Sequence, residues 1–382
     1  MKNTVQINTD KEGMALALEW AAQGMYITAP NPRVGCVIVR DGEVIGAGHT
    51  QPAGQAHAEI QALRDAAARG NDVRGATAYV TLEPCSHYGR TPPCANALIE
   101  AGLGRVVAAM GDPNPLVAGR GMAQLEAAGI AVSSGLLAAA AYELNIGFFS
   151  RMRRGRPWVR LKTAASLDGM TALENGESQW ITGPEARQDG HAWRARACAI
   201  LTGIGTVKAD DPQLTVRGVA TPGVATPGVA TPRQPRRVIV DSRLDIDPNA
   251  RILQGAPCWI VAALPDRDKA ALLRAAGHEL IVLANGAGKV DLPALMLELG
   301  RREINEVHVE AGAKLNASLV REGCVDELLV YLAPSLIGAG QGMFALPPLD
   351  RLADKIALRF HEVTPVGADL RILARTQPTE LT

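Results

Sequence analysis

No stretch of these 382 residues approaches the roughly 18 uncharged apolar residues of a membrane span. The opening residues, MKNTVQINTDKEG, lack the apolar core of a secretory signal. Net charge is missing too: 39 basic residues balance 39 acidic ones, so the basic excess usual in nucleic-acid binders is absent. Together these absences point to a cytoplasmic protein with neither membrane nor nucleic acid as a partner. Thiols stay reduced in that compartment, so the six cysteines are expected as metal ligands or core residues and not as disulfides. No G-x-G-x-x-G follows a strand-like run, which removes the standard Rossmann dinucleotide signal.

What is present is ordinary globular material, 47% hydrophobic and 20% charged, in a chain long enough for two domains. In the first 150 residues or so, helix-like and strand-like runs alternate. KEGMALALEWAAQG reads as a helix, and VGCVIVR and EVIGAGH as two strands joined at Asp41-Gly42. HAEIQALRDAAARG is a helix closed by Gly70, then ATAYVTL a strand, PCANALIEAG a helix, RVVAAM a strand and GRGMAQLEAAG a helix. That order predicts an α/β domain with strands between helices. RMRRGRPW, Arg151 to Trp158, is taken as a solvated linker, giving domains of 1–152 and 153–382. A second α/β pattern follows, with strands expected at WVRLKTAAS, ACAIL, RRVIVD, CWIVAA, ELIVLA, EVHVEAG and ELLVYLAP. Helices are expected at GPEARQDGHAWRARA and DLPALMLELGRR. GVATPGVATPGVATP, Gly218 to Pro232, is too short for a solenoid, and its regular prolines forbid helix or sheet interior. It is expected as a dispensable surface loop.

The densest chemistry lies in TLEPCSHYGRTPPC, Thr81 to Cys94. A catalytic zinc needs three protein ligands and an open fourth position. Cys85 and Cys94 offer two thiolates, and His57 of AHAEI is the best third ligand because Glu59 stands two residues beyond it. Zinc deaminases carry H-x-E…P-C-x-x-C; HAE and EPC match, while the second cysteine is displaced by an insertion of six residues. His57 and Cys94 both sit at expected helix starts, where partial positive charge favours thiolate. Glu59, one turn in, can shuttle a proton from water to a leaving amine. His87 is a rival ligand, and Cys85, Cys94, His57 and His87 together could form a closed structural site. Glu83 is the next carboxylate at hand if Glu59 is not the shuttle. A nucleic-acid deaminase with an accessory domain and a zinc-stabilised binding module are the competing functional readings.

At this point PNPRVGCVIV, HAE and TLEPCSHYGRTPPC together resemble the bifunctional deaminase–reductases of riboflavin biosynthesis, whose long Cys–Cys spacing this sequence shares. LKTAASLDGMTA, GESQWITG, GTVKADDPQLTVR, VIVDSR and VEAGAKL resemble the reductase half of that family. The resemblance spans about residues 10 to 375, with the pentamer repeat outside it. It implies a cytidine-deaminase-like α/β/α domain followed by a dihydrofolate-reductase-like α/β domain. It also implies two successive reactions on phosphorylated pyrimidines: zinc-dependent hydrolytic deamination of 2,5-diamino-6-(5-phosphoribosylamino)pyrimidin-4(3H)-one, then NADPH-dependent reduction of ribosyl to ribityl. A homo-oligomer, dimer or tetramer, is expected. Asn31, His87 and Arg90 are implied to contact the deaminase substrate; Arg90 stands where relatives can carry lysine. The NADPH contacts implied are Ala164, Trp180, Thr206, Asp210, Ser242 and Gly312, Ala313, Lys314, Leu315, Asn316, Ala317 and Ser318. Lys162, Ser178, Arg194, Leu214, Arg217 and Glu310 fall at substrate positions.

Elementary chemistry adds roles to these positions. Glycines in GIGTVKADDP and VEAGAKLNASL lie between a strand and an expected helix, where backbone N–H groups can meet a pyrophosphate or where a glycine merely permits packing. Ser242 and Arg243 could hold the 2′-phosphate of NADPH, although Asp241 beside them would suit NADH. Arg194 and Arg217 suit the 5′-phosphate. Lys162, Asp210 and Glu310 are expected to arrange protons around the reduced carbon, unless Lys162 and Asp210 form a structural ion pair.

Overall fold

The computed structural model describes residues 6–86, 93–115, 117–220 and 233–376. It divides into two compact units, one before and one after the Gly155–Arg156 peptide.

The first unit opens with helix α1 (Asp10–Gln23), set by a capping box in which Thr9 and Glu12 exchange side-chain and backbone hydrogen bonds. Strands β1 (Gly35–Arg40) and β2 (Glu43–His49) form the expected hairpin. Asp41 and Gly42 both take left-handed backbone, φ 51° and 79°, the pair of conformations that a two-residue turn between twisted strands requires. Helix α2 (Ala58–Ala68), β3 (Thr77–Val80), α3 (Cys94–Glu100), β4 (Arg105–Ala108), α4 (Arg120–Ala127), β5 (Ala131–Ser134), α5 (Ala138–Leu144) and α6 (Ile146–Arg154) follow. The sheet runs β2-β1-β3-β4-β5, with β1 antiparallel to both neighbours and β3, β4 and β5 parallel. Alternation along β1 separates two cores. Cys36 and Ile38 pack with Ala58, Ala62, Leu98, Leu125 and Phe149 on one face, while Val37 and Val39 pack with Met14, Ala17 and Ala141 on the other. The result is an α/β/α sandwich.

The basic run at Arg151 is not a linker. It forms the last turn of α6, where cations complement the helix C-terminus, and Arg151 and Arg153 lie over the rings of Phe148 and Phe149. The expected border at 152/153 therefore falls inside a helix. The helix ends at Gly155, in left-handed backbone.

The second unit contains β6 (Trp158–Ser166), β7 (Met170–Leu173), α7 (Pro184–Arg196), β8 (Ala199–Gly203), α8 (Ile204–Asp210), β9 (Arg236–Val240), β10 (Trp259–Ala262), α9 (Arg267–Ala275), β11 (Glu279–Val282), α10 (Leu292–Arg301), β12 (Glu306–Val309), α11 (Ala313–Arg321), β13 (Glu327–Ala333), β14 (Gly340–Gly342), β15 (Leu358–Val366) and β16 (Asp369–Thr376). Its nine-stranded sheet has the order β11-β10-β9-β8-β12-β6-β13-β16-β15. Strands β11 to β13 in that order are parallel, and β16 and β15 add antiparallel at one edge. All seven expected strands are present. The terminal hairpin is not among the expected strands, and its outer strand β15 is exposed along most of its length.

Candidate active sites

Two glycines in β2 decide where the first site lies. A side chain at Gly46 would press into the Ala62 carbonyl, and one at Gly48 into Gln61, so α2 lies directly on the strand. Asp65 of α2 also accepts the Ala47 N–H at 2.9 Å. This seats the start of α2, where His57 is the N-cap and Glu59 lies in the first turn. His57 caps no backbone group with its ring, and Nδ1 is 3.6 Å from Cys85 Sγ and 3.3 Å from Cys94 Sγ. Cys94 begins α3, and its N–H donates to Cys85 Sγ at 3.3 Å. Among the described residues, these three side chains form one cluster able to hold a metal, with ligand atoms within 4.8 Å of one another.

The electrostatics fit a zinc ligand set. A side-chain hydrogen bond with the Cys94 thiol holds the Cys85 thiol down at about 4, against a burial penalty, and His57 adds to the effect. The same bond, then burial, pushes Cys94 up. One imidazole and two thiolates are a donor set that zinc accepts with a fourth position left over. Glu59 is not in the cluster. It is 4% exposed, and burial, then the Cys85 charge, pushes it up to about 7.

Glu83, the alternative carboxylate, is committed elsewhere. Its two oxygens accept the N–H groups of Asp112 (3.1 Å), Gly119 (2.9 Å), Gly121 (2.9 Å) and Met122 (3.3 Å). It caps α4 and fixes the loop before it. Asn31 lies on a segment held from α5 and α6, two helices beyond those expected from the sequence. Between them, Asn145 accepts the Arg33 N–H at 2.7 Å and donates to the Arg33 carbonyl at 2.9 Å. His87 and Arg90 lie outside the described residues, and with His87 the rival ligand and the closed four-ligand site.

The second site lies at the carboxyl edge of the parallel strands, where open α/β sheets place ligands. Arg194 of α7 makes a two-pronged pair with Glu310, just beyond β12, and donates to the Thr215 carbonyl at 3.1 Å. Burial opposes charge on Glu310, but Arg194 more than reverses it and holds the carboxyl well below the usual range. Lys162 on β6 is lowered by burial, with Glu310 opposing, and its Nζ is 5.9 Å from the Tyr331 ring. Glu310 is the carboxylate whose charge acts on Lys162, with no direct ion pair between them among the described residues. Asp210, at the end of α8, forms no ion pair with Lys162 among the described residues and is raised by its partial burial. Leu214 is buried with left-handed backbone, φ 49°, and Arg217 is exposed beyond it.

The glycine turns divide between the two readings. Gly203 lies against Leu315, whose side-chain end a Cβ there would meet at 2.9 Å. Gly312 caps α11 with open space around it, Thr206 Oγ1 being 3.8 Å from where its side chain would start. The first turn of α11 can present N–H groups, whereas Asn316 and Ala317 are buried and Asn316 donates to the Met343 carbonyl at 3.2 Å. Ala164 lies two residues after Lys162 on β6, on the same strand face. Ser178 and Trp180 lie on the loop before α7, with Trp180 70% exposed and Arg187 4.5 Å above its ring. Asp241 cannot select NADH, because it is buried and accepts the N–H groups of Asp245 (2.9 Å) and Ile246 (2.8 Å). Ser242 Oγ accepts the Val290 N–H at 3.3 Å, and Arg243 is exposed beside it.

Comparison with known proteins matches both halves. Residues 157–372 match the family model of the RibD C-terminal domain, and residues 7–110 that of the cytidine and deoxycytidylate deaminase zinc-binding region. The chain is 49% identical over 366 residues to riboflavin biosynthesis protein RibD of Escherichia coli (strain K12), covering 94% of this chain and 98% of that one. Acinetobacter baumannii RibD superposes with a TM-score of 0.87 at 43% identity, covering 97% of this chain and 99% of the other. A diaminohydroxyphosphoribosylaminopyrimidine deaminase/5-amino-6-(5-phosphoribosylamino)uracil reductase from Thermotoga maritima gives a TM-score of 0.82 at 30% identity, covering 96% and 98%.

Proposed function

Because the chain belongs to the RibD family of bifunctional riboflavin-biosynthesis enzymes, with zinc-dependent deaminase and NADPH-dependent reductase activities, we propose that it acts on the substrates named for its Thermotoga relative. The diaminopyrimidinone bearing a ribosylamino 5′-phosphate is deaminated, and the ribosyl group of the product is reduced to ribityl. The observation that carries the first step is the convergence of His57, Cys85 and Cys94 with Glu59 beside them. We assign residues up to Gly155 to the deaminase and those after it to the reductase, which agrees with the spans of the two family models.

His57, Cys85 and Cys94 hold the zinc, which when bound supplies the Lewis acidity that makes water nucleophilic near neutral pH. Glu59 takes a proton from the attacking water and passes it to the ring nitrogen and departing amine, so that ammonia leaves and a ring carbonyl remains. Asn31, with His87 and Arg90, orients the pyrimidine. In the reductase, bound NADPH supplies a hydride to the sugar carbon. The first turn of α11, with Thr206, Ser242, Ala164 and Trp180, lines its site. Lys162 is placed to give a proton to the sugar, and Glu310 balances its charge. Asp210 stands apart from these two and is left with the cofactor. The 5′-phosphate falls to Arg217, because Arg194 is occupied by Glu310 and Thr215. The test is zinc content together with NADPH oxidation on the deaminated pyrimidine. A zinc-free protein, or no oxidation with that compound, would overturn the assignment.

Cytoplasmic residence agrees with six free cysteines and with the finding that no described helix is long and apolar enough to cross a membrane. A homo-oligomer is supported by the outer strand β15, whose Phe360 is 71% exposed on an edge able to pair with a second copy. Sedimentation gives its mass.

Residues 221–232 of the repeat lie outside the described residues, and its flanks are joined in the reductase unit. The Gln234 carboxamide accepts the Val216 N–H at 2.9 Å and donates to the Val216 carbonyl at 3.1 Å, joining the chain before the repeat to the chain after it. Replacing 218–232 by a short linker should therefore leave both activities within about threefold, roughly 0.7 kcal/mol of barrier. A reductase loss beyond about tenfold in a folded variant would show that the repeat is needed.

A further inference from the structure

Helix α7 presents Gln188, His191 and Arg194 at three-residue spacing, which places them along one face. All three bond to the backbone of 215–218. Gln188 Nε2 donates to the Gly218 carbonyl at 2.6 Å, Arg194 Nη1 donates to the Thr215 carbonyl at 3.1 Å, and His191 Nδ1 faces the Arg217 N–H at 3.3 Å. The middle contact is informative. A backbone N–H can only donate, so Nδ1 accepts and the ring proton resides on Nε2. Nε2–H is thus a donor on the side of the ring away from the Arg217 backbone. His191 is half-buried, and the charges acting on it come from every element around the site: Arg194 of α7, Arg217 of the following loop, Glu310 beyond β12 and Lys162 of β6.

We infer that His191 binds the phosphate of the reductase substrate through Nε2–H, beside the Arg217 guanidinium; this rests on the reductase reading above. A phosphate dianion offers more acceptor sites than one guanidinium fills. Arg194 is the α7 cation whose charge acts on His191, and Glu310 and Thr215 already take three of its five N–H groups. His191 supplies the further donor without adding a third positive charge to Arg194 and Arg217. Burial, then those two guanidinium groups, hold its pKa down to about 4, so the ring is neutral at working pH. The same residue fixes the backbone of Arg217, so cation and donor keep one geometry.

The test compares His191→Leu, His191→Gln and the unaltered enzyme in NADPH-dependent reduction, with ribose 5-phosphate as a competitive inhibitor. Leucine removes the donor; glutamine restores a neutral N–H donor. His191→Leu should raise the inhibition constant of ribose 5-phosphate and the KM of the phosphorylated pyrimidine by at least about tenfold, about 1.4 kcal/mol. Its kcat and its KM for NADPH should stay within about threefold, and His191→Gln should return the inhibition constant to within about threefold. An unchanged inhibition constant in His191→Leu overturns the inference. So does an equal loss in both variants, which would reduce His191 to a prop for the Arg217 backbone. A fall in kcat with KM unchanged also excludes a phosphate contact. Intact deamination and NADPH KM show that a variant is folded. If the unaltered enzyme itself fails to reduce the pyrimidine, the reductase reading fails, a different outcome from an active enzyme indifferent to His191.

Discussion

Glu59→Gln should retain zinc while deamination falls by at least about 10²-fold, the lower end of general acid–base contributions. The carboxylate lies in the first turn of α2, nine-tenths or more buried, beside the three ligand atoms but not among them. Glutamine keeps its size and can neither accept nor return the proton. The fold should tolerate the change, because α2 is seated by Gly46, Gly48 and Asp65 and not by Glu59. Reduction of the deaminated product should persist, since the reductase residues lie in the other unit. Supplying each half-reaction with its own substrate and measuring both rates and zinc content decides the matter. Near-normal deamination would remove Glu59 as the shuttle, and Glu83 could not simply replace it while its oxygens hold four backbone N–H groups. Loss of zinc with both activities would make Glu59 structural.

Cys94→Ser should weaken zinc binding by more than about 100-fold. Altering a residue that merely supports a ligand costs about 10–100-fold, and here a ligand itself is removed. A serine hydroxyl is a poor replacement for thiolate. Titration against a chromophoric chelator reads the affinity, and deamination should fall in step with zinc occupancy while reduction is spared. Full occupancy in the variant would point to a different ligand set, with His87 the first residue to examine.

The zinc site was legible in the sequence because its information is local. His57 and Glu59 are two residues apart, and Cys85 and Cys94 close a single loop, so spacing and helix starts nearly suffice. The strands were legible for a similar reason: each is a short apolar run bounded by turns, and Asp41-Gly42 declares its hairpin. Element ends were less so. The basic run at Arg151 has a linker's composition, and only packing against Phe148 and Phe149 shows it as a helix end.

Tertiary structure decided which charges are available. In sequence, Lys162 could pair with Asp210, Asp241 could hold a ribose, Glu83 could carry protons and Arg194 could bind phosphate. Packing and hydrogen bonding removed these options one at a time, giving Glu310 to Arg194 and its charge to the surroundings of Lys162, the Asp245 loop to Asp241 and the α4 cap to Glu83. A charged side chain in a folded protein takes whichever partner the sheet and helices bring to it, and residues such as Arg194 and Glu310, 116 apart in sequence, meet only when β12 and α7 pack together. The sequence by itself determined the residue types, the zinc motif and the class of fold. The partner of each buried charge, and with it the neutral histidine on α7, depended on long-range packing that no local pattern encodes.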